Sequence, residues 1–132
     1  MTDHSLLLRV PPDDINVVHD YIDDVWRQHS EVGELERLRF TTALIELASN
    51  VLQHTAAEAL RAEVITTIST ERIHCEIHDS APPASVQLDT LSMPDENAES
   101  GRGIAFIQRL VDELHYERRG TTNIWSIDSS RS

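Results

Sequence analysis

An α+β protein is predicted: a two-layer sandwich with about three helices on one face of a mixed, mainly antiparallel sheet of about five strands. Three observations lead there. Runs that alternate apolar and polar residues, clearest in Arg72 to His78, mark half-buried strands. Apolar residues three and four apart, as in Ile15, Val18, Ile22, Val25 and Trp26, mark helices. The resulting order is strand, helix, helix, hairpin, helix, hairpin, which segregates helices from an antiparallel sheet instead of winding them around a parallel one. With 132 residues the chain is long enough for one domain, 1–132, with its own core.

Leu6 to Val10 reads as the first strand, ended by Pro11 and Pro12. Asp13 and Asp14 start a helix, because a short carboxylate can accept from the free N–H groups of a first turn. After Gly33 a second helix runs from about Glu34 to Thr55, with its buried side read as Leu38, Thr41, Leu44, Ile45, Ala48, Val51 and Leu52. Val64 to Ser69 is rich in β-branched residues. Arg72 to His78 places Ile73, Cys75 and Ile77 on one face, and a turn at Thr70-Glu71 joins the two as an antiparallel hairpin. Asp79 to Ser100 holds three of the five prolines and sustains no periodicity. A loop of about 20 residues in a compact domain is uncommon and often functional. Gly101-Arg102-Gly103 opens a helix with Ile104, Ile107, Leu110, Val111 and Leu114 as its stripe. His115 to Arg119 and Asn123 to Asp128 are strands around Gly120-Thr121-Thr122. The helix-free sheet face is left to solvent or to a homodimer.

Composition excludes several classes of function. The net charge of −12 argues against nonspecific binding to nucleic acid or to an anionic membrane, since both require positive surface. All 11 basic residues are arginine, so neither a P-loop lysine nor a lysine Schiff base is available. No apolar run reaches the roughly 18 residues of a membrane span. The start, MTDHSLLLRVPPDD, is too acidic and its apolar part too short for a signal peptide. A lone cysteine, Cys75, fits a reducing compartment, and a cytoplasmic location is expected. Cys75 lies on the apolar face of its strand, while His74 and His78 point the other way, so a structural metal there is not expected. Trp26 and Trp125 read as core or interface residues.

Three features carry chemistry. Glu46, Asn50 and His54 are four residues apart in LIELASNVLQHT, which puts them within an arc of about 80° on a helix. Such an edge can present a proton acceptor, an oxygen suited to Mg²⁺ and a phosphate contact; it also fits a solvated helix face. Asp79 ends a strand before Ser80, Ala81, Pro82 and Pro83, where a carboxylate can accept from the amine of a base or simply start a turn. Gly101 and Gly103 let backbone approach a ligand, and a helix N-terminus with Arg102 offers donors to an anion.

In order, the chain carries E-x-x-x-N-x-x-x-H in a helix, a hairpin ending in D-x-A-x-P, a loop, G-R-G-I opening a helix, and G-T-T-N in a last hairpin. This resembles the GHKL (Bergerat-fold) ATPase superfamily, and more narrowly the anti-sigma-factor serine/threonine kinases of the RsbW and SpoIIAB type. The resemblance covers nearly the whole chain, from the first strand to Ile127. It implies a Bergerat fold that binds ATP and Mg²⁺. Glu46 would be the general base or hydroxyl-orienting carboxylate, Asn50 the Mg²⁺ ligand, and His54 a neighbour of the nucleotide. Asp79 would bind the adenine amine, with Ala81 beside it and Thr121 or Thr122 in support. Gly101, Arg102 and Gly103 would form the phosphate-side end of an ATP lid. The implied partners are a sigma factor and a STAS-type anti-sigma-factor antagonist, whose hydroxyl would be phosphorylated. Two departures from the family pattern stand out: Ala81 where glycine is usual, and a lid with no glycine over residues 84–100 that carries Asp89, Asp95, Glu96 and Glu99. They motivate an alternative, a sigma-sequestering module with weak or no use of ATP. A detached ATPase domain of a histidine kinase is the third, disfavoured because the first two helices belong to the fold.

Overall fold

A computed structural model describes residues 2–53, 60–82 and 99–131, without the side chains of Thr2, Glu99, Ser100 and Arg102. The elements are β1 (Thr2–Val10), α1 (Ile15–Gln28), α2 (Glu34–Gln53), β2 (Leu60–Ile68), β3 (Arg72–Asp79), α3 (Glu99–Leu110), β4 (Glu113–Arg119) and β5 (Thr122–Ser130). The strands form one five-stranded sheet in the order β1-β2-β3-β5-β4. Every pairing is antiparallel, so no parallel pair enters the expected mixture. Three helices and an antiparallel sheet make the predicted α+β sandwich.

Alternation determines which sheet face is dry. Leu60, Ala62, Val64, Thr66 and Ile68 of β2, Ile73, Cys75 and Ile77 of β3, and Trp125 and Ile127 of β5 are all buried. They meet Val18, Ile22, Val25 and Trp26 of α1, Phe40, Ala43, Leu44, Leu47, Ala48 and Val51 of α2, and Ile104 and Ile107 of α3 in one apolar cluster. Two polar contacts between α1 and its neighbours lie against it. Tyr21 donates to Thr66 Oγ1 at 2.7 Å and the Trp26 indole N–H to Thr41 Oγ1 at 2.7 Å. Burial pushes the Tyr21 phenol up to about 12.

The helix starts follow capping chemistry. The Asp14 side chain accepts from the Asn16 N–H at 3.0 Å and caps α1, as expected. β1 begins four residues earlier than predicted, because Asp3 and Ser5 are polar on the outward face while the whole strand pairs with β2. β2 likewise starts at Leu60 and not at Val64.

The expected buried side of α2 is corrected. Leu38 is 62% exposed, while Phe40, Ala43 and Leu47 are buried. Apolar residues occupy most of the circumference of this helix, so spacing alone does not single out one stripe. α2 is covered by α1, by the sheet and also by α3. The third helix is corrected as well: it starts at Glu99, so Gly101-Arg102-Gly103 lies inside its first turns, and it ends at Leu110, leaving Leu114 on the buried face of β4. Among the described residues no helix is long and apolar enough to cross a membrane.

Candidate functional site

The first cluster forms where α3 crosses α2. A Cβ built on Gly103 would fall 2.9 Å from Glu46 Oε1, 2.9 Å from Asn50 Nδ2 and 3.4 Å from Asn50 Oδ1. A methyl at either 2.9 Å separation would force the ends of these two side chains to shift, so glycine leaves both groups in place against α3. The structure thereby joins two features that are 53 residues apart between Asn50 and Gly103. Glu46 and Asn50 are half-buried, one turn apart on the same edge of α2. The Asn50 Nδ2 atom is buried without a hydrogen-bond partner among the described residues. An unpaired buried amide costs about 1–3 kcal/mol, and a ligand that reaches it removes that cost. Rotation of the amide by half a turn presents its oxygen at the same place, the donor type that Mg²⁺ takes. The residues therefore fit the cation: an amide with nothing to bind, a carboxylate beside it, and glycine backbone close by. Among the described residues no group of three or more His, Cys, Asp or Glu is placed to hold a metal, so phosphate and water would complete the shell. His54 and the Arg102 side chain lie outside the described part of the structure.

The second cluster is built on the ends of β3 and β5. Asp79, only 3% exposed, sits directly opposite Asn123 in the sheet. Its Oδ1 accepts from the Ala81 backbone N–H at 2.9 Å and from Asn123 Nδ2 at 2.9 Å. Both bonds end on the same oxygen. Asn123, 2% exposed, also donates to the Ala81 and Pro82 carbonyls at 3.0 Å each. Its own oxygen accepts from the Tyr116 hydroxyl at 2.5 Å and Arg118 Nη1 at 2.9 Å, and Arg118 reaches the Ala81 carbonyl at 3.2 Å. Among the described residues the direct side-chain support for Asp79 comes from Asn123, while Thr121 is exposed in the turn and Thr122 lies opposite Arg119 in the sheet. Asn123 was detectable in the sequence. It alternates with Trp125 and Ile127 on the dry face of β5, where a side-chain amide must find partners. Ala81 is accommodated: no described non-glycine residue has positive φ, and its methyl packs into the core at 8% exposure.

Ala62 pairs with Asp79, and residues 54–59 separate Leu60 from the end of α2, a reach of at most about 25 Å. Cys75 takes no part: it is fully buried, 3.5 Å from Thr66 Oγ1, and burial pushes its thiol up to about 12, so it holds no thiolate.

The chain matches the family of histidine kinase-like ATPase domains over residues 9–127. Solved structures with a similar fold include the histidine kinase domain of the blue-light activated histidine kinase EL346 from Erythrobacter litoralis, at 20% identity and TM-score 0.53 over 72% of this chain. This chain spans 47% of that one. The catalytic domain of histidine kinase ThkA aligns at 12% identity and TM-score 0.59, covering 99% of this chain and 97% of its own. The Acinetobacter baumannii histidine kinase AdeS aligns at 15% identity and TM-score 0.51, covering 98% and 68%. At these identities the likeness is one of fold. No curated protein sequence matches the chain.

Proposed function

Since the chain belongs to the histidine kinase-like ATPase family, we propose that it is an ATP- and Mg²⁺-dependent serine/threonine protein kinase that acts as a cytoplasmic anti-sigma factor. The observation that carries this reading is the seating of Gly103 on Glu46 and Asn50, with the Asn50 amide left unpaired. Asp79 would bind the adenine amine, and Asn50 would hold Mg²⁺. Bound Mg²⁺ supplies neutralisation of the charge on the transferring phosphoryl group. The acceptor is a serine or threonine hydroxyl of an anti-sigma-factor antagonist. Its oxygen bonds to the γ-phosphorus as the bond to the β–γ bridging oxygen breaks, and its proton passes to Glu46. Phosphoryl transfer asks a protein mainly for position and charge, which a carboxylate and an amide on one rigid helix edge can provide. Sequestration of a sigma factor would be the second activity of the same chain.

The second reading is a detached ATPase domain of a histidine kinase, to which the likeness of fold gives support. A neutral imidazole acceptor needs no base, so Glu46 separates the two. The test is transfer from labelled Mg-ATP to the antagonist. Acid-stable phosphoserine or phosphothreonine, reduced about 10²-fold or more by Glu46→Gln, supports the kinase. Acid-labile phosphohistidine indifferent to Glu46 supports the second reading. Tight sigma-factor binding without any nucleotide response would leave only the sequestering module.

A further inference from the structure

A carboxylate has two oxygens, and its preferred partner among bases is guanine, whose N1–H and N2–H lie side by side as two parallel donors. Adenine offers one amine and, next to it, an acceptor. An aspartate with both oxygens free is therefore poorly suited to choosing adenine. Asp79 does not have both oxygens free. Its Oδ1 receives two hydrogen bonds, from Asn123 Nδ2 and the Ala81 N–H, which fill both lone pairs. Among the described residues nothing donates to Oδ2. The orientation of Asn123 is itself fixed. Its oxygen takes the Tyr116 hydroxyl and the Arg118 guanidinium, and its nitrogen faces only acceptors, so a flipped amide would turn its oxygen on three acceptors and its nitrogen on a guanidinium.

We infer that Asn123 is a positioning residue that makes Asp79 a one-oxygen acceptor and so selects a 6-amino purine over guanine. The inference rests on the nucleotide reading of the site. Guanine at this position would leave one N–H desolvated with no acceptor, and unpaired buried donors are what give sites of this kind their discrimination. The same amide ties the Ala81 and Pro82 carbonyls to β5, so it also sets where the chain leaves β3.

The test is calorimetric titration of the full chain with ATP and with GTP in Mg²⁺. The phosphates are identical in the two ligands, so the protein's net charge of −12 cancels from the ratio. Wild type should prefer ATP. Asn123→Val should narrow the ATP:GTP affinity ratio about tenfold, the scale of one charge-assisted hydrogen bond. Asn123→Thr, nearly isosteric with valine but carrying a hydroxyl that can donate to Oδ1, should retain most of the ratio. A valine variant with the wild-type ratio, or valine and threonine variants narrowed equally, would overturn the inference. So would a wild type without preference for ATP. A wild type that binds neither nucleotide removes the nucleotide reading as well, and is told apart by that. If Asn123→Val does not fold, Tyr116→Phe decides: it keeps the ring stacked 4.5 Å from Trp125 and removes the hydroxyl that orients the amide. It should narrow the ratio about threefold, and an unchanged ratio overturns the proposal.

Discussion

Asn50 carries a polar atom that the described part of the fold leaves unpaired. Its Nδ2 is buried and unpaired, which disfavours the folded state by about 1–3 kcal/mol. Asn50→Ala should therefore leave the melting temperature unchanged or raise it by a few degrees, while abolishing Mg²⁺-dependent transfer. A thermal scan alongside a transfer assay checks both; a clear fall in melting temperature would mark Asn50 as a structural residue. Asp79 is the opposite case, since its carboxylate is held by two donors in the protein itself. The polar edge of Glu46 and Asn50 was legible in the sequence because four-residue spacing on a helix is a geometric fact. The role of Asn123 was not, since its meaning comes from Asp79, which lies opposite it only once β3 and β5 pair. Thr121 and Thr122 occupied the expected motif, but the turn at Gly120, with φ of 58°, leaves Thr121 in solvent and sends the third residue inward.

At the scale of elements, the placement of Glu46 and Asn50 under α3 depends on one missing methyl. Alanine at position 103 would favour the helix by up to about 1 kcal/mol. Its Cβ would nonetheless stand 2.9 Å from Glu46 Oε1 and Asn50 Nδ2, so both side chains must turn away. Gly103→Ala should change stability by less than about 1 kcal/mol and reduce phosphoryl transfer at least tenfold, a split that melting curves and initial rates would show. Helix boundaries were legible where a cap or a turn fixed them, as at Asp14. The packing direction of α2 was not, because its apolar residues surround it and α1, the sheet and α3 together decide which edges are covered. The outer sheet face carries a second device. Glu76 bridges His74 at 2.9 Å and His78 at 2.7 Å, and His74 reaches Asp128 at 2.7 Å, which also pairs with Arg72. Burial alone would lower the His74 imidazole, but the hydrogen bonds with Glu76 and Asp128 outweigh it and raise it. The folded state then holds this proton more tightly than the unfolded chain, a stabilisation complete below about pH 6.5 and lost as pH rises through the raised value. Hydrogen bonds with His78 and then His74 hold Glu76 below its usual range, so its contribution is present above about pH 4.5 and lost as pH falls. His74 should favour the fold at pH 6 over pH 8, against His4, whose imidazole burial holds low, so His74→Gln should shift the difference in melting temperature between pH 6 and pH 8 toward higher stability at pH 8 in paired thermal scans.

For the whole molecule, the sheet and all three helices share one apolar cluster, so a ligand gripped at one end is felt as stability of the entire fold. Asp79 hangs on β3 and β5, and Glu46 and Asn50 on α2 under α3, so a nucleotide that spans them ties the helical layer to the sheet. Binding to the folded state alone at a hundred times the dissociation constant adds about 2.7 kcal/mol. For a chain of this size that is a rise of roughly 8–10 °C in melting temperature. The two clusters should contribute separately. Asp79→Asn presents an amide where the amine needs an acceptor, and it should remove the rise with or without Mg²⁺. Asn50→Ala should leave the rise in nucleotide alone and remove the increment that Mg²⁺ adds, because only the phosphate end involves Asn50. Scans of wild type and both variants with nucleotide, with Mg²⁺ and with both would resolve this pattern. If the two variants lost the same fraction of the rise under every condition, base and phosphate would not be held by separate clusters, and the division of the site between the sheet end and the helix crossing would be wrong.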